Sequence, residues 1–275
     1  MPIIIDGKSI AADILAEAKS GIAALGRKPR LAAILIGNDP ASISFLNEKR
    51  KKSEAVGIEF MLYRYDDRIS TTQVRARIAK LRKEKKPDAI IIQLPLPEHL
   101  NTQYVLDAVP PDEDVDGLSS RARGLLATEK SLILPPTAAA VLHILQVQAI
   151  ALGDLHAVIV GLGPLVGKPL LTLLANKVAS VTAVHAGTPA IDRFTKEADL
   201  LIVGTGQAGL IDGSMVKEGV IALDAGYSSI DGKISGDLVY GSVAQKARLI
   251  TPVPGGIGPI TVAMLLKNVV TLAKK

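Results

Sequence analysis

The stretch HAVIVGLGPLVGKP (156–169) decides how the chain folds. An apolar run, HAVIVG, ends in glycines and opens into a helix-like segment, and Gly161, Gly163 and Gly167 stand at the turn between them. Glycine there lets a backbone approach a pyrophosphate, and the free amides of a helix N-terminus then face that charge. The spacing is G-x-G-x-x-x-G, one residue longer than the dinucleotide fingerprint, so the motif alone also fits a tight strand-to-helix turn without a ligand.

Outward from this turn, the same alternation recurs. Strand patterns follow at SVTAV (180–184), LLIVG (200–204) and VIALDAG (220–226). Upstream, strand patterns at LAAILIG (31–37), IEFMLYRY (58–65) and AIIIQLPLP (89–97) alternate with helical periodicity over 9–25, after Pro40, and over 72–85. Strands alternating with helices predict α/β architecture, with parallel sheets covered on both faces. The paired prolines of LILPPT (132–137) interrupt regular structure and mark a joint between two domains. The closing ITVAMLLKNVVTLAKK (260–275) predicts an apolar helix that returns to pack on the first domain. The expected division is a three-layer α/β domain over 1–135 and 260–275, a Rossmann-like domain over 136–259, and a cleft between them.

Composition narrows the chemistry. The 275 residues are 48% apolar, with three Phe, five Tyr and no Trp, which disfavours base-stacking platforms for single-stranded nucleic acid. The absence of Cys excludes disulfides, thiolate catalysis and sulfur-ligated zinc. His99, His143, His156 and His185 show no metal-binding spacing, so no metal is expected, and no G-x-S-x-G elbow is present. A net charge of +5 suits an anionic small molecule and does not argue for DNA. No charged-then-apolar leader and no membrane-length apolar run are seen, so the expected setting is cytoplasmic, with no membrane partner.

The segment PASISFLNEKRKK (40–52) raises a choice between a basic surface and a helix that aims one lysine into a site. On a helix the run KRKK (49–52) points in nearly all directions rather than along one stripe, which favours a solvated face over a nucleic-acid interface. Lys49 differs from its neighbours because Phe45, four residues earlier, shares its face.

Five segments, in this order and separation, resemble the bifunctional methylenetetrahydrofolate dehydrogenase/methenyltetrahydrofolate cyclohydrolase family: GNDPAS with Lys49, QLPLP (93–97), DEDVDG (112–117), GLGPLVGKP (161–169) and TPVPGGIGPITVAML (251–265). The resemblance runs through nearly the whole chain. It implies hydride transfer from methylenetetrahydrofolate to NADP, then hydrolysis of the methenyl product to formyltetrahydrofolate, in a homodimer. It maps the acid/base lysine of the hydrolytic step onto Lys49, the glutamine that orients it onto Gln93, and the pterin anchor onto Asp116. A carboxylate suits the paired N–H donors of a pterin. Ile92 and Leu94, flanking Gln93, and the loop residues Pro254, Gly255, Gly256 and Ile257 are expected along the folate with Phe45.

On the cofactor side, Gly161, Leu162, Gly163, Val166 and Gly167 form the expected phosphate turn. His185, Ala186 and Thr188 follow the second strand of that domain, and Gly204, Thr205 and Tyr227 follow later ones. The region VTAVHAGT (181–188) holds no carboxylate, which tolerates the extra phosphate of NADP. The family's usual serine and basic residues are replaced at Leu162, Gly163, Ala186 and Gly187, so NAD stands as the alternative cofactor. Phe45 replaces a family tyrosine and lacks the hydroxyl that would meet the lysine, so Lys49 is expected to rely on Gln93 and the hydrolytic step to be the weaker one. A dehydrogenase without efficient hydrolysis and a catalytically silent dinucleotide-binding regulator are the competing readings.

Overall fold

The computed structural model describes residues 1–230 and 233–275. In chain order its strands are β1 (Ile3–Ile4), β2 (Arg30–Ile36), β3 (Glu59–Tyr65), β4 (Ala89–Ile92), β5 (His156–Val160), β6 (Ser180–Val184), β7 (Leu200–Val203), β8 (Ile221–Asp224), β9 (Ser228–Ile230), β10 (Lys233–Ser235) and β11 (Leu249–Ile250). The chain divides into two compact units, Asp13–Pro135 with Leu265–Lys275, and Met1–Ala12 with Pro136–Met264.

The unit built on Asp13–Pro135 carries a parallel sheet in the order β3-β2-β4. Because successive strand side chains point to opposite faces, β2 and β4 feed two cores at once. Leu31, Ala33, Leu35, Ala89 and Ile91 pack with Leu46, Val56 and, from the last helix, Leu266, Val269 and Val270. Ala32, Ile34, Ile36, Ile90 and Ile92 pack on the other side with Val74, Ile78 and Leu81. Both faces are covered, which gives the three-layer arrangement. The sequence pattern AIIIQLPLP extends to residue 97, but β4 stops at Ile92, because Pro95 and Pro97 have no N–H to donate to a ladder.

The helices of this unit begin where side chains can satisfy their first amides. Asp39 caps the helix Pro40–Val56 by accepting from Ser42 N at 2.8 Å, and Ser70 and Gln73 form a reciprocal capping box on Thr71–Lys85. Within the KRKK run, the Arg50 guanidinium lies 5.6 Å from the Phe60 ring centroid, so that charge covers an aromatic face of its own unit.

The second unit carries a six-stranded parallel sheet, β1-β11-β8-β7-β5-β6. Val158, Val160, Leu201, Val203, Ala222 and Ile250 pack with Ile211, Val216, Leu238 and Val243 on one face. The expected division assigned residues 1–12 and 260–264 elsewhere. The structure groups them here, since Ile3 and Ile4 pair with Leu249 and Ile250, and Gly7 N donates to Gly255 O at 3.0 Å. Two-residue strands are too short to leave a periodic pattern. Among the described residues, no helix is long and apolar enough to cross a membrane.

Candidate active site

In the first unit the helix Pro40–Val56 carries Phe45 and Lys49 one turn apart. Gln93 follows the end of β4, buried at 7% exposure, with its amide donating to Ile34 O at 2.9 Å. Lys49 Nζ donates to Gln93 Oε1 at 3.0 Å, and Gln93 Nε2 donates to Leu94 O at 2.7 Å. The amide nitrogen is thus occupied by backbone, so the oxygen is the end that faces the ammonium. Ile92 is 4% exposed and its side chain belongs to the core, which leaves only its backbone to meet a ligand.

Asp116 sits on the tight turn 114–117. Gly117 closes the turn at φ +67°, a conformation glycine adopts without penalty, and its amide donates to Asp114 O at 3.1 Å. The preceding segment is held beside β4 by Ile90 N donating to Glu113 O at 2.6 Å. Asp114 in turn accepts from Ser119 N at 2.7 Å. Asn268, buried on the last helix, donates from Nδ2 to Val115 O at 3.1 Å and Leu134 O at 2.9 Å, fixing the peptide that leads into Asp116. Asn268 was not legible as a site residue in the sequence, where it reads as one polar position in an apolar helix.

The electrostatics follow from this packing. Burial of the Lys49 ammonium lowers its pKa below that of an ordinary lysine, and the charge of Asp116 only partly offsets the effect. Asp116 is pushed up to about 6, mainly by burial, with Lys49 pulling the other way and Asp114 adding to the rise. Lysine, glutamine and aspartate, widely separated in sequence, are therefore one coupled group. A lysine that loses its proton easily is suited to proton transfer, and the acid beside it, at about 6, is mostly charged at neutral pH and able to accept N–H donors.

In the second unit, the glycine-rich turn is shaped by contacts that exclude side chains at some positions only. A Cβ on Gly161 would lie 2.4 Å from Gly204 O, and one on Gly167 1.8 Å from Gly161 O. Around Gly163 the corresponding space is open, with no atom within 4 Å. Gly161 and Gly167 are therefore required by the turn itself, whereas Gly163 leaves room at its mouth. Val166 packs on Gly204, where a Cβ would meet Val166 Cγ1 at 2.9 Å. The helix Gly167–Leu174 begins without a side-chain cap; Lys168 N already donates to Gly163 O at 3.1 Å and Pro169 has no N–H, so it is the Gly167 amide that is left to meet an anion.

The β6 end forms a compact turn: Gly187 N donates to His185 Nδ1 at 3.1 Å and His185 N to Thr188 Oγ1 at 3.2 Å. Gly161 N donates to Val184 O at 2.8 Å, which brings the ends of β5 and β6 together. No carboxylate stands in this turn, and Lys168 is exposed at the start of the helix that follows β5, so the residues present fit a dinucleotide bearing an extra ribose phosphate. Thr205 is turned inward: its amide and hydroxyl donate to the Asp237 carboxylate. Tyr227 is exposed at 41% beyond the end of β8. In the loop before the last helix, Gly255 has φ +106°, and a Cβ on Gly256 would lie 2.5 Å from Pro252 O, so this loop presents backbone rather than side chains at both glycines.

Comparison with known proteins agrees with this arrangement. Residues 5–116 match the model of the tetrahydrofolate dehydrogenase/cyclohydrolase catalytic domain, and residues 135–275 match that of the family's NAD(P)-binding domain. A protein named bifunctional protein FolD from Caldanaerobacter subterraneus is 41% identical over 97% of this chain and 95% of its own length. The crystal structure of the bifunctional enzyme FolD, a methylenetetrahydrofolate dehydrogenase/cyclohydrolase from Campylobacter jejuni, superposes with a TM-score of 0.95 at 38% identity, covering 100% of this chain and 99% of that one. The Trypanosoma brucei enzyme complexed with NADP cofactor and inhibitor gives 0.94 at 32% identity, covering 99% and 97%. With both halves matched over almost their full length and the lysine, glutamine and aspartate converging as described, the chain belongs to the tetrahydrofolate dehydrogenase/cyclohydrolase family.

Proposed function

We propose that the protein oxidises methylenetetrahydrofolate to methenyltetrahydrofolate with NADP and hydrolyses the product to formyltetrahydrofolate. The observation that carries this reading is the hydrogen bond from Lys49 Nζ to Gln93 Oε1, 3.0 Å long, in a desolvated setting shared with Asp116. When bound, NADP supplies the carbon that accepts the hydride.

Asp116 holds the pterin by accepting from its amino and ring N–H groups, which orients the one-carbon unit for both steps. Phe45 covers one face of the bound ring system. In the hydrolytic step water adds to the cationic methenyl carbon, and Lys49, with its lowered pKa, takes the proton that the water loses. The resulting ammonium returns a proton to the ring nitrogen released when the carbon–nitrogen bond breaks, and the proton of the remaining hydroxyl leaves to solvent as the formyl C=O forms. Gln93 keeps Lys49 aimed through the cycle, because its oxygen accepts from nitrogen in either charge state. The turn at Gly161, Gly163 and Gly167, with the Gly167 amide at the start of the helix behind it, receives the dinucleotide phosphates. Leu162, Val166, Ala186, Gly204 and Tyr227 shape the surroundings of the cofactor rather than donate to it.

A homodimer and a cytoplasmic setting belong to the same reading. The test is spectrophotometric: purified protein with methylenetetrahydrofolate should reduce NADP more efficiently than NAD, and should consume added methenyltetrahydrofolate. Reduction of neither cofactor would overturn the reading. Sedimentation at twice the chain mass would support the dimer, and sedimentation as a monomer would remove it.

A further inference from the structure

The C-terminal edge of the second unit's sheet contains a pair of buried carboxyl groups that the chemistry above does not use. Asp237 is 0% exposed and Asp224 is 3% exposed. Asp224 Oδ1 accepts from Gly226 N at 2.9 Å and Asp237 N at 3.2 Å, and its Oδ2 accepts from Leu238 N at 2.9 Å. The amide of Asp224 donates to Thr251 Oγ1 at 2.7 Å, at the start of the loop that runs to Ile257. Asp237 Oδ2 accepts from Thr205 N, from Thr205 Oγ1 at 2.8 Å and from Gly206 N at 3.1 Å. Its other oxygen, Oδ1, is buried and has no hydrogen-bond partner among the described residues.

Space around the pair is tight. A Cβ on Gly226 would lie 2.3 Å from Asp237 Oδ1, and one on Gly236 2.1 Å from Asp224 Oδ2. Thr205, Gly206, Gly226, Asp237 and Leu238 thus donate to two carboxyl groups at the strand ends, while Thr251 is held by the Asp224 amide, at the edge where parallel α/β sheets bind ligands. An unsatisfied buried carboxylate oxygen carries a desolvation cost, and an apolar residue of similar volume would hold a core at least as well. What an apolar residue could not do is gather amides from several turns onto one atom.

We infer that Asp237 is a positioning residue for cofactor binding, clamping the Thr205–Gly206 turn against the loops centred on Asp224. The inference rests on the reading of this unit as the NADP-binding half. It acts through geometry alone: the carboxylate is too enclosed to touch a ligand, and it sets where the turn after β7 presents its surface.

The experiment uses the conservative variant as a rescue. Asp237→Asn keeps an oxygen for the three donors of Thr205 and Gly206 and places an amide nitrogen where the unpartnered oxygen stands, so the clamp survives. Asp237→Ala removes the clamp. KM for NADP should rise about ten-fold or more in Asp237→Ala with KM for methylenetetrahydrofolate within about two-fold of wild type, while Asp237→Asn stays within about three-fold for both. An unchanged NADP KM in Asp237→Ala, or an Asn variant as impaired as the Ala variant, would overturn the inference. If Asp237→Ala does not accumulate as folded protein, Thr205→Val, which deletes the hydroxyl donor and leaves both amides, should raise the NADP KM about three-fold, and no rise would be decisive against it. Amide exchange over 204–207 separates this from the function itself. Wild type inactive with NADP would remove the functional reading, yet protection of Thr205 and Gly206 that is lost in Asp237→Ala and kept in Asp237→Asn would still support the clamp, and equal protection in all three would end it.

Discussion

Each unit buries a carboxyl group whose pKa is pushed up to about 6, Asp116 in the first and Asp224 in the second, and burial is the main cause in both. The neighbours differ. Asp116 faces the Lys49 ammonium, itself weakened by burial, whereas Asp224 is surrounded by the amides of Gly226, Asp237 and Leu238 with a second carboxylate alongside. Desolvation therefore sets a common starting point, and the partner decides the use. Two ionisable groups drawn toward each other's protonation range can pass a proton, while a carboxyl group held by backbone donors can only hold a shape.

The largest expected effect comes from making the first region resemble the second. Lys49→Met deletes the ammonium, and cyclohydrolase turnover, followed as the decay of methenyl absorbance, should fall by roughly 10² to 10⁴. The Asp116 pKa should then move higher still, since the only lowering influence on it is gone. Hydrolysis at the wild-type rate would dissolve the contrast between the two carboxyl groups.

Asp116→Asn comes next. Loss of charged acceptance should raise KM for methylenetetrahydrofolate about 10- to 100-fold. The same variant tests the linkage. A carboxyl raised in the fold from 3.8 to about 6 stabilises fully below its unfolded value and loses that contribution as pH rises through about 6. Chemical denaturation between pH 4 and pH 7 should therefore show a stability loss in Asp116→Asn that is smaller than in wild type by roughly 2 kcal/mol. An identical pH dependence would mean that Asp116 is not desolvated.

A smaller effect separates the two glycines of the cofactor turn. Gly167→Ala drives a Cβ to 1.8 Å from Gly161 O and should cost about 1–3 kcal/mol with loss of NADP binding, read by thermal unfolding and titration. Gly163→Ala meets open space and should change stability by less than about 0.5 kcal/mol. Equal costs would show that the second unit does not work through backbone shape. The smallest effect sharpens the first region: Phe45→Tyr supplies a hydroxyl on the face of Lys49 and should raise hydrolysis relative to oxidation by about two- to five-fold. A constant ratio of the two activities would leave Gln93 as sufficient support for the lysine.

Legibility in the sequence followed the distance over which each feature is specified. The strands β5 and β6 arise from neighbouring residues, and their patterns are visible directly. β1 and β11 were not, because two apolar residues acquire strand character only when a partner pairs with them. Lys49, Gln93 and Asp116 could be named from family motifs, but the motifs are silent about protonation. Asp224, Asp237 and Asn268 read as a strand-end residue, a turn residue and a helix polar position, and nothing local marks them as hubs.

The amino-acid order by itself determined the alternation of strands and helices, the glycine turn after β5 and the aliphatic character of the cores, since periodicity and turn chemistry act over a few residues. Tertiary structure alone decided that Lys49 meets Gln93 across 44 positions, that Thr205 donates to Asp237 across 32, and that Asn268 reaches Val115 across 153. Those contacts, and the burial that shifts the Lys49 and Asp116 pKa values, exist only once distant segments exclude water from a common space.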